Sequence, residues 1–132
     1  NTVAIKNFNE DEFINLIEWS NKRNIDITFI EVMPMDETSL DRHLQFVPLD
    51  KVFEKLNKQF DFYKINKNTG GPSVYYNSKN LDNNIGFITP LTNNFCDNCN
   101  RVRITSTGKL YMCLGQNNFI DFRCDKTFFC RK

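Results

Sequence analysis

Histidine is almost absent from this chain: His43 is the only one among 132 residues. It stands in a polar stretch far upstream of the cysteines and reads as an ordinary surface residue. A strong charge of either sign is missing too. Lys and Arg number 17 against 16 Asp and Glu, a net charge of +1. That balance is too weak to imply a nucleic-acid surface by itself, since such surfaces need clustered excess cation, and no nucleic-acid partner is expected. No apolar run approaches the roughly 18 residues of a membrane span, and the opening residues lack the pattern of a secretory leader, so none is expected. The expected setting is therefore cytoplasmic, with no membrane partner. The first residue is Asn1 rather than Met, which leads us to expect an upstream part. We see no internal repeat.

What is present is enough for a core. Hydrophobic residues make up 40% of the chain, and 13 of them are Phe. The length suits one domain or a piece of a larger one. Residues 1–6 are β-prone. Asn9 precedes Glu10, Asp11 and Glu12, a capping-box pattern, and Phe13, Leu16, Ile17 and Ser20 follow at helical spacing, predicting a helix over 10–23. Ile25 to Met33 reads as a buried strand ended by Pro34. Strand, helix and strand with short connections make a βαβ unit of a parallel sheet. One such unit leaves edges exposed, so a larger sheet or barrel is expected.

Further along, 36–47 reads as loop and Leu49, Val52, Phe53, Leu56 and Phe60 mark a helix over about 49–59. Phe62 to Asn66, Val74 to Tyr76 and Ile85 to Thr89 read as strands, with a turn at Gly70-Gly71-Pro72. Arg101 to Thr105 and Leu110 to Cys113 read as two more, around a turn at Thr107-Gly108. Residues 116–132 show little period.

The chemistry concentrates in the cysteines. Cys96-Asp97-Asn98-Cys99 is C-x2-C, and Cys113 lies 14 residues beyond Cys99. Two thiolates at that spacing can grip one metal from a tight turn, and a hairpin would return the third to the same place. Five cysteines, an odd count with no export signal, are expected as thiols or metal ligands rather than disulfides. On spacing alone zinc and an iron–sulfur cluster stand equal. Cys124 and Cys130 are candidate fourth ligands, which keeps zinc open. Arg101 and Arg103 follow at i and i+2, on one face of the expected strand. Two guanidinium forks beside a metal make a phosphate site; the alternative is two solvated arginines on an edge strand. Asn100 could add an amide, and Lys109 reads as merely exposed.

The run Phe95-Cys96-Asp97-Asn98-Cys99-Asn100-Arg101-Val102-Arg103-Ile104-Thr105, continued by Gly108-Lys109-Leu110-Tyr111-Met112-Cys113-Leu114-Gly115, resembles the C-terminal part of the molybdenum cofactor biosynthesis protein A family. These are the GTP 3′,8-cyclases, radical S-adenosylmethionine enzymes. Phe29-Ile30-Glu31-Val32-Met33-Pro34, Gly70-Gly71-Pro72, Ile85-Gly86-Phe87-Ile88-Thr89-Pro90 and Asp121-Phe122-Arg123 resemble the same family, in order. The likeness runs from residue 1 to about 123.

The resemblance implies an α/β fold. It would be the C-terminal portion of an incomplete parallel β/α (TIM-like) barrel plus a small α+β cluster-binding lid. Residues 1–35 would be the last βαβ unit, and 36–132 the region of the second cluster and the substrate. It implies a 4Fe–4S cluster on Cys96, Cys99 and Cys113 with one iron open to GTP, and GTP contacts from Arg101, Val102 and Arg103. Met33 would lie beside S-adenosylmethionine. No residue here is expected to be catalytic. The family makes its radical at an N-terminal C-x3-C-x2-C motif, which this sequence does not contain, so an N-terminal half, in the same or a separate chain, is an expected partner. The family's tendency to dimerise implies a homodimer. Two departures stand out: Thr28 where the family commonly has Arg, and no Gly-Gly tail. The competing readings are a structural zinc module using Cys124 and a non-functional remnant of the enzyme.

Overall fold

A computed structural model describes residues 1–33, 43–93, 95–96, 99, 101–113 and 118–123. Among the described residues ten elements follow in order: β1 Thr2–Ala4, α1 Phe13–Asn21, β2 Ile27–Glu31, α2 Leu49–Phe60, β3 Tyr63–Lys64, β4 Val74–Asn77, β5 Ile85–Ile88, β6 Arg103–Ile104, β7 Lys109–Tyr111 and β8 Phe119–Asp121. They form two sheets. One is five-stranded, in the order β1-β2-β5-β4-β3; the other is three-stranded, in the order β6-β7-β8.

The βαβ unit expected from the first thirty residues is present: β1 and β2 pair in parallel, with Val3 opposite Ile30. β5 pairs in parallel on the other side of β2, and β4 and β3 extend the sheet antiparallel. The architecture is thus a mixed α/β sheet.

Alternation along the strands sorts the two faces. Phe29 lies opposite Phe87 across β2 and β5, with ring centroids 5.9 Å apart. Phe13 of α1 meets Phe29 edge-on at 5.0 Å, and Phe53 of α2 meets Phe87 at 5.4 Å. Both helices therefore cover this one face. Ala4, Ile17, Ile27, Leu49, Leu56 and Ile85 belong to the same core. Each large side chain buried there contributes about 1.5–3 kcal/mol.

The opposite face carries a different row: Thr28 beside Gly86, and Gly86 beside Tyr75. A Cβ on Gly86 would stand 2.4 Å from Ser73 Oγ, 2.6 Å from Thr28 Oγ1 and 3.0 Å from Tyr75 Cε1. Only glycine lets these three side chains meet across the strand.

Several local expectations shift. The capping box is not made: α1 starts at Phe13 after Glu12, whose side chain caps nothing. Asn9 turns back instead, accepting from Ile5 N–H at 2.8 Å and donating to Val3 O at 2.9 Å. Its amide closes the β1–α1 connection, and the helix begins after that turn. α2 matches its expected span and ends at Asp61, in the left-handed region at φ 51°. The Asn57 side chain accepts from Phe62 N–H there at 2.7 Å. β6 is shorter than expected and leaves Arg101 outside the strand. β8 lies in a stretch that showed no period; its partner β7 selects it. Pro34 and part of the loop expected at 36–47 lie outside the described residues.

Candidate functional site

Cys96 and Cys99 are the described ends of the C-x2-C segment, and Cys99 N–H donates to Cys96 O at 3.1 Å, which brings the two residues close together. Both cysteines are exposed, and Cys113, two residues beyond β7, is half-buried. Among the described residues no group of three or more His, Cys, Asp or Glu side chains is gathered closely enough to hold a metal ion. The donors described here, at Cys96, Cys99 and Cys113, are thiols, which suit zinc or an iron–sulfur cluster. Cys124, Cys130 and Asn100 lie outside the described residues.

The C-x2-C segment opens on a cleft of about 490 Å3 whose wall includes Lys64, Lys67, Tyr75, Phe95, Cys99 and Arg101. It runs from that segment to the β3–β4 hairpin and its Gly70-Gly71-Pro72 bend. Arg101 bridges the two sides. Its guanidinium donates to Gly70 O at 3.4 Å, and a Cβ on Gly71 would approach it to 3.0 Å. Gly71 thereby leaves room for the guanidinium over the bend. Gly70, at φ 73°, takes a conformation open to glycine.

Arg101 and Arg103 were expected to share one strand face. Arg103 begins β6 and pairs with Tyr111; neither it nor Val102 lines the cleft. Both are exposed. Met33 follows β2 by two residues and is half-buried, at the carboxyl end of a parallel strand.

Electrostatics in the cleft are one-sided. Lys64, Lys67 and Arg101 line it, and no Asp or Glu does among the described residues. Lys67 bonds to Asp26 and sits 5.6 Å from the Tyr75 ring centroid. Burial works against the Asp26 carboxylate, but the Lys67 bond and two from Asn84 outweigh it and hold the carboxyl below its usual value. The Thr69 hydroxyl lies 3.1 Å from Tyr75 Oη. That bond, opposed by burial and aided by the Thr28 and Ser73 hydroxyls and the Lys67 charge, lowers the phenol below the ordinary tyrosine value.

Glu31 is the residue whose role the sequence did not disclose. It is 1% exposed, yet its carboxylate accepts from Leu49 N–H at 3.1 Å, Leu91 N–H at 2.9 Å, Thr92 N–H at 3.0 Å and the Thr92 hydroxyl. It ties the end of β2 to the start of α2 and to the turn after β5. An acid closing a run of apolar strand residues was the available signal.

Comparison with known proteins gives a consistent answer. Residues 25–125 match the family model described as Molybdenum Cofactor Synthesis C. Proteins named GTP 3′,8-cyclase from Brucella ovis, Brucella canis and Brucella abortus are each 50% identical over 123 residues, 93% of this chain. The chain spans 36% of the length of those curated relatives.

Proposed function

The chain belongs to the Molybdenum Cofactor Synthesis C family, and from that premise we propose that it is the substrate- and cluster-holding part of a GTP 3′,8-cyclase. On this reading residues 1–35 continue a partial β/α barrel and 36–132 form the cluster and substrate region. Cys96, Cys99 and Cys113 hold a 4Fe–4S cluster, which when bound supplies an open iron as a Lewis-acidic contact for a nucleotide base. Arg101 and Arg103, with the Val102 segment between them, hold the triphosphate, and Met33 lies toward S-adenosylmethionine. The radical-generating N-terminal half is the partner, in the same or a separate chain. The setting is cytoplasmic; among the described residues no helix is long and apolar enough to cross a membrane.

The observation that carries the reading is the shared cleft. Cys99 and Arg101, two residues apart, open into one space with three cations and no carboxylate among its described lining. Fixed cations in a partly enclosed site favour a polyanion beside the thiols. The cleft chemistry thus agrees with the substrate named by the relatives.

The test is anaerobic iron–sulfide reconstitution of the chain with GTP titration. A brown protein with about four irons, lost on changing Cys96, Cys99 or Cys113 to Ser, is expected. Arg101→Ala and Arg103→Ala should each weaken GTP without removing iron. A colourless protein that retains zinc would favour the structural module instead.

A further inference from the structure

The path from the large sheet to the first two cysteines is held by a side chain from another strand. After Ile88 ends β5, residues 89–93 make one helical turn, closed by Asn93 N–H donating to Thr89 O at 3.0 Å. The first N–H groups of such a turn have no partner within it. Glu31 supplies one. Its Oε2 accepts from Leu91 N–H at 2.9 Å and from Thr92 N–H at 3.0 Å. Its Oε1 does the same for α2, accepting from Leu49 N–H at 3.1 Å, and takes the Thr92 hydroxyl as well. Pro48, at the N-cap of α2, gives that helix no side-chain cap of its own. One carboxylate, at the end of β2, thus serves two helical starts at once.

We propose that Glu31 is a positioning residue for the metal-binding thiols. It fixes the upstream end of the segment that carries Cys96 and Cys99, as Arg101 on Gly70 fixes the downstream end. This rests on the reading that those thiols hold a metal centre. It assigns a role to a residue outside the cysteine motif and outside the described wall of the cleft.

Chain reach shows what the anchor does. Cys96 lies four residues beyond Thr92 and eight beyond Ile88. Four residues span at most about 14 Å, and eight about 28 Å. Holding Thr92 therefore halves the length over which the first thiol can wander from the sheet. The upstream hold is also the firmer one. Leu91 and Thr92 give Glu31 three donors, whereas Arg101 makes one long contact to Gly70 O at 3.4 Å. Hydrogen bonds to an ionised group are about twice as strong as neutral ones. Glu31 itself belongs to β2, which is paired on both sides, by β1 and by β5. The thiols are thereby referred to the centre of the large sheet rather than to a surface loop.

Anaerobic iron–sulfide reconstitution of the intact chain, followed by titration with an iron chelator, tests this. Glu31→Ala should lower about tenfold the chelator concentration that strips half the iron, the loss usual when the support behind a ligand is removed. Doubling the free tether accounts for about threefold of that, and lost orientation for the rest. The paramagnetic resonance lines of the reduced cluster should broaden as well. Glu31→Gln should hold iron much nearer to the wild type, because its carbonyl oxygen can still accept from Leu91 and Thr92.

Glu31→Ala also weakens the fold, so two further variants separate position from stability. Ile17→Ala empties part of the core under α1; its melting temperature should fall while its iron stays. Two glycines inserted after Asn93 leave every Glu31 bond in place and lengthen only the path to Cys96. They should loosen iron with little change in melting temperature. Added to Glu31→Ala, the insertion should cost little more, since both free one segment.

Iron held as firmly in Glu31→Ala and in the insertion variant as in the wild type would overturn the anchor and leave the cluster reading standing. Equal iron loss in Glu31→Ala and Ile17→Ala, with none in the insertion variant, would also overturn it and make Glu31 a stability residue only. Zinc retained in place of iron, and loosened by Glu31→Ala and by the insertion, would remove the cluster reading and uphold the anchor. Binding of neither metal would overturn both.

Discussion

The two sheets use the same strand alternation and reach opposite results. In the five-stranded sheet, Phe29 and Phe87 disappear beneath two helices, at 0% and 5% exposure. In the three-stranded sheet, Ile104 is 66% exposed and Ile120 50%. Val102 and Met112, beside its strands, are exposed as well. An apolar row becomes a core only when a second layer covers it. The small sheet instead holds its shape by local devices. Gly108, at φ 77°, turns the β6–β7 hairpin. The Thr105 hydroxyl accepts from Lys109 N–H at 3.1 Å. The Lys109 ammonium sits 4.1 Å over the Phe119 ring, and the Arg123 guanidinium grips Asp121.

The sharpest way to break this comparison is one truncation in each sheet. Phe29→Ala should cost about 3–5 kcal/mol, read by urea unfolding. Ile104→Ala should stay within about 0.5 kcal/mol. Equal losses would mean that the small sheet has a second layer we have not identified.

Next in size is Glu31→Ala, at about 3 kcal/mol, since it strands a buried donor at Leu49 and part-buried donors at Leu91 and Thr92 together. Hydrogen exchange should rise at the start of α2 and in the turn after β5, and not in β6–β8. Gly86→Ala should follow at about 1–3 kcal/mol, because the new methyl meets Thr28, Ser73 and Tyr75. Its melting temperature should fall, and the absorbance titration of Tyr75 should shift as its neighbours move.

A smaller effect than at Glu31 or Gly86 is expected at Asp26. Its folded pKa lies below its unfolded value of about 3.9. The carboxylate's contribution is therefore present above that value and lost as pH falls through the folded pKa. Asp26→Asn should cost under about 1 kcal/mol at neutral pH, because the ion pair is partly solvent-screened. It should also flatten the acid side of a melting-temperature profile.

Much of the fold was legible where the signal is local. The β1-α1-β2 unit follows from the apolar spacing of Phe13, Leu16 and Ile17 between two β-prone runs. α2 follows from Val52, Phe53 and Leu56. The approach of Cys96 to Cys99 follows from their spacing alone. Legibility ended where a residue had two local options. Asn9 offered a cap and closed a turn instead. Arg101 offered a strand and leaned on Gly70. β8 offered no period and was chosen by β7.

The sequence by itself determined the chemical type of the candidate donors: thiols at Cys96, Cys99 and Cys113, and guanidiniums at Arg101 and Arg103. Chemical type and close spacing are properties of the chain. Only the tertiary structure decided which of them share a space. It brought Lys64 and Lys67 to Cys99 and Arg101, left Arg103 outside that cleft, and buried Glu31 under two connections. Those choices depend on β5 inserting between β2 and β4, a pairing of distant segments that no local pattern encodes.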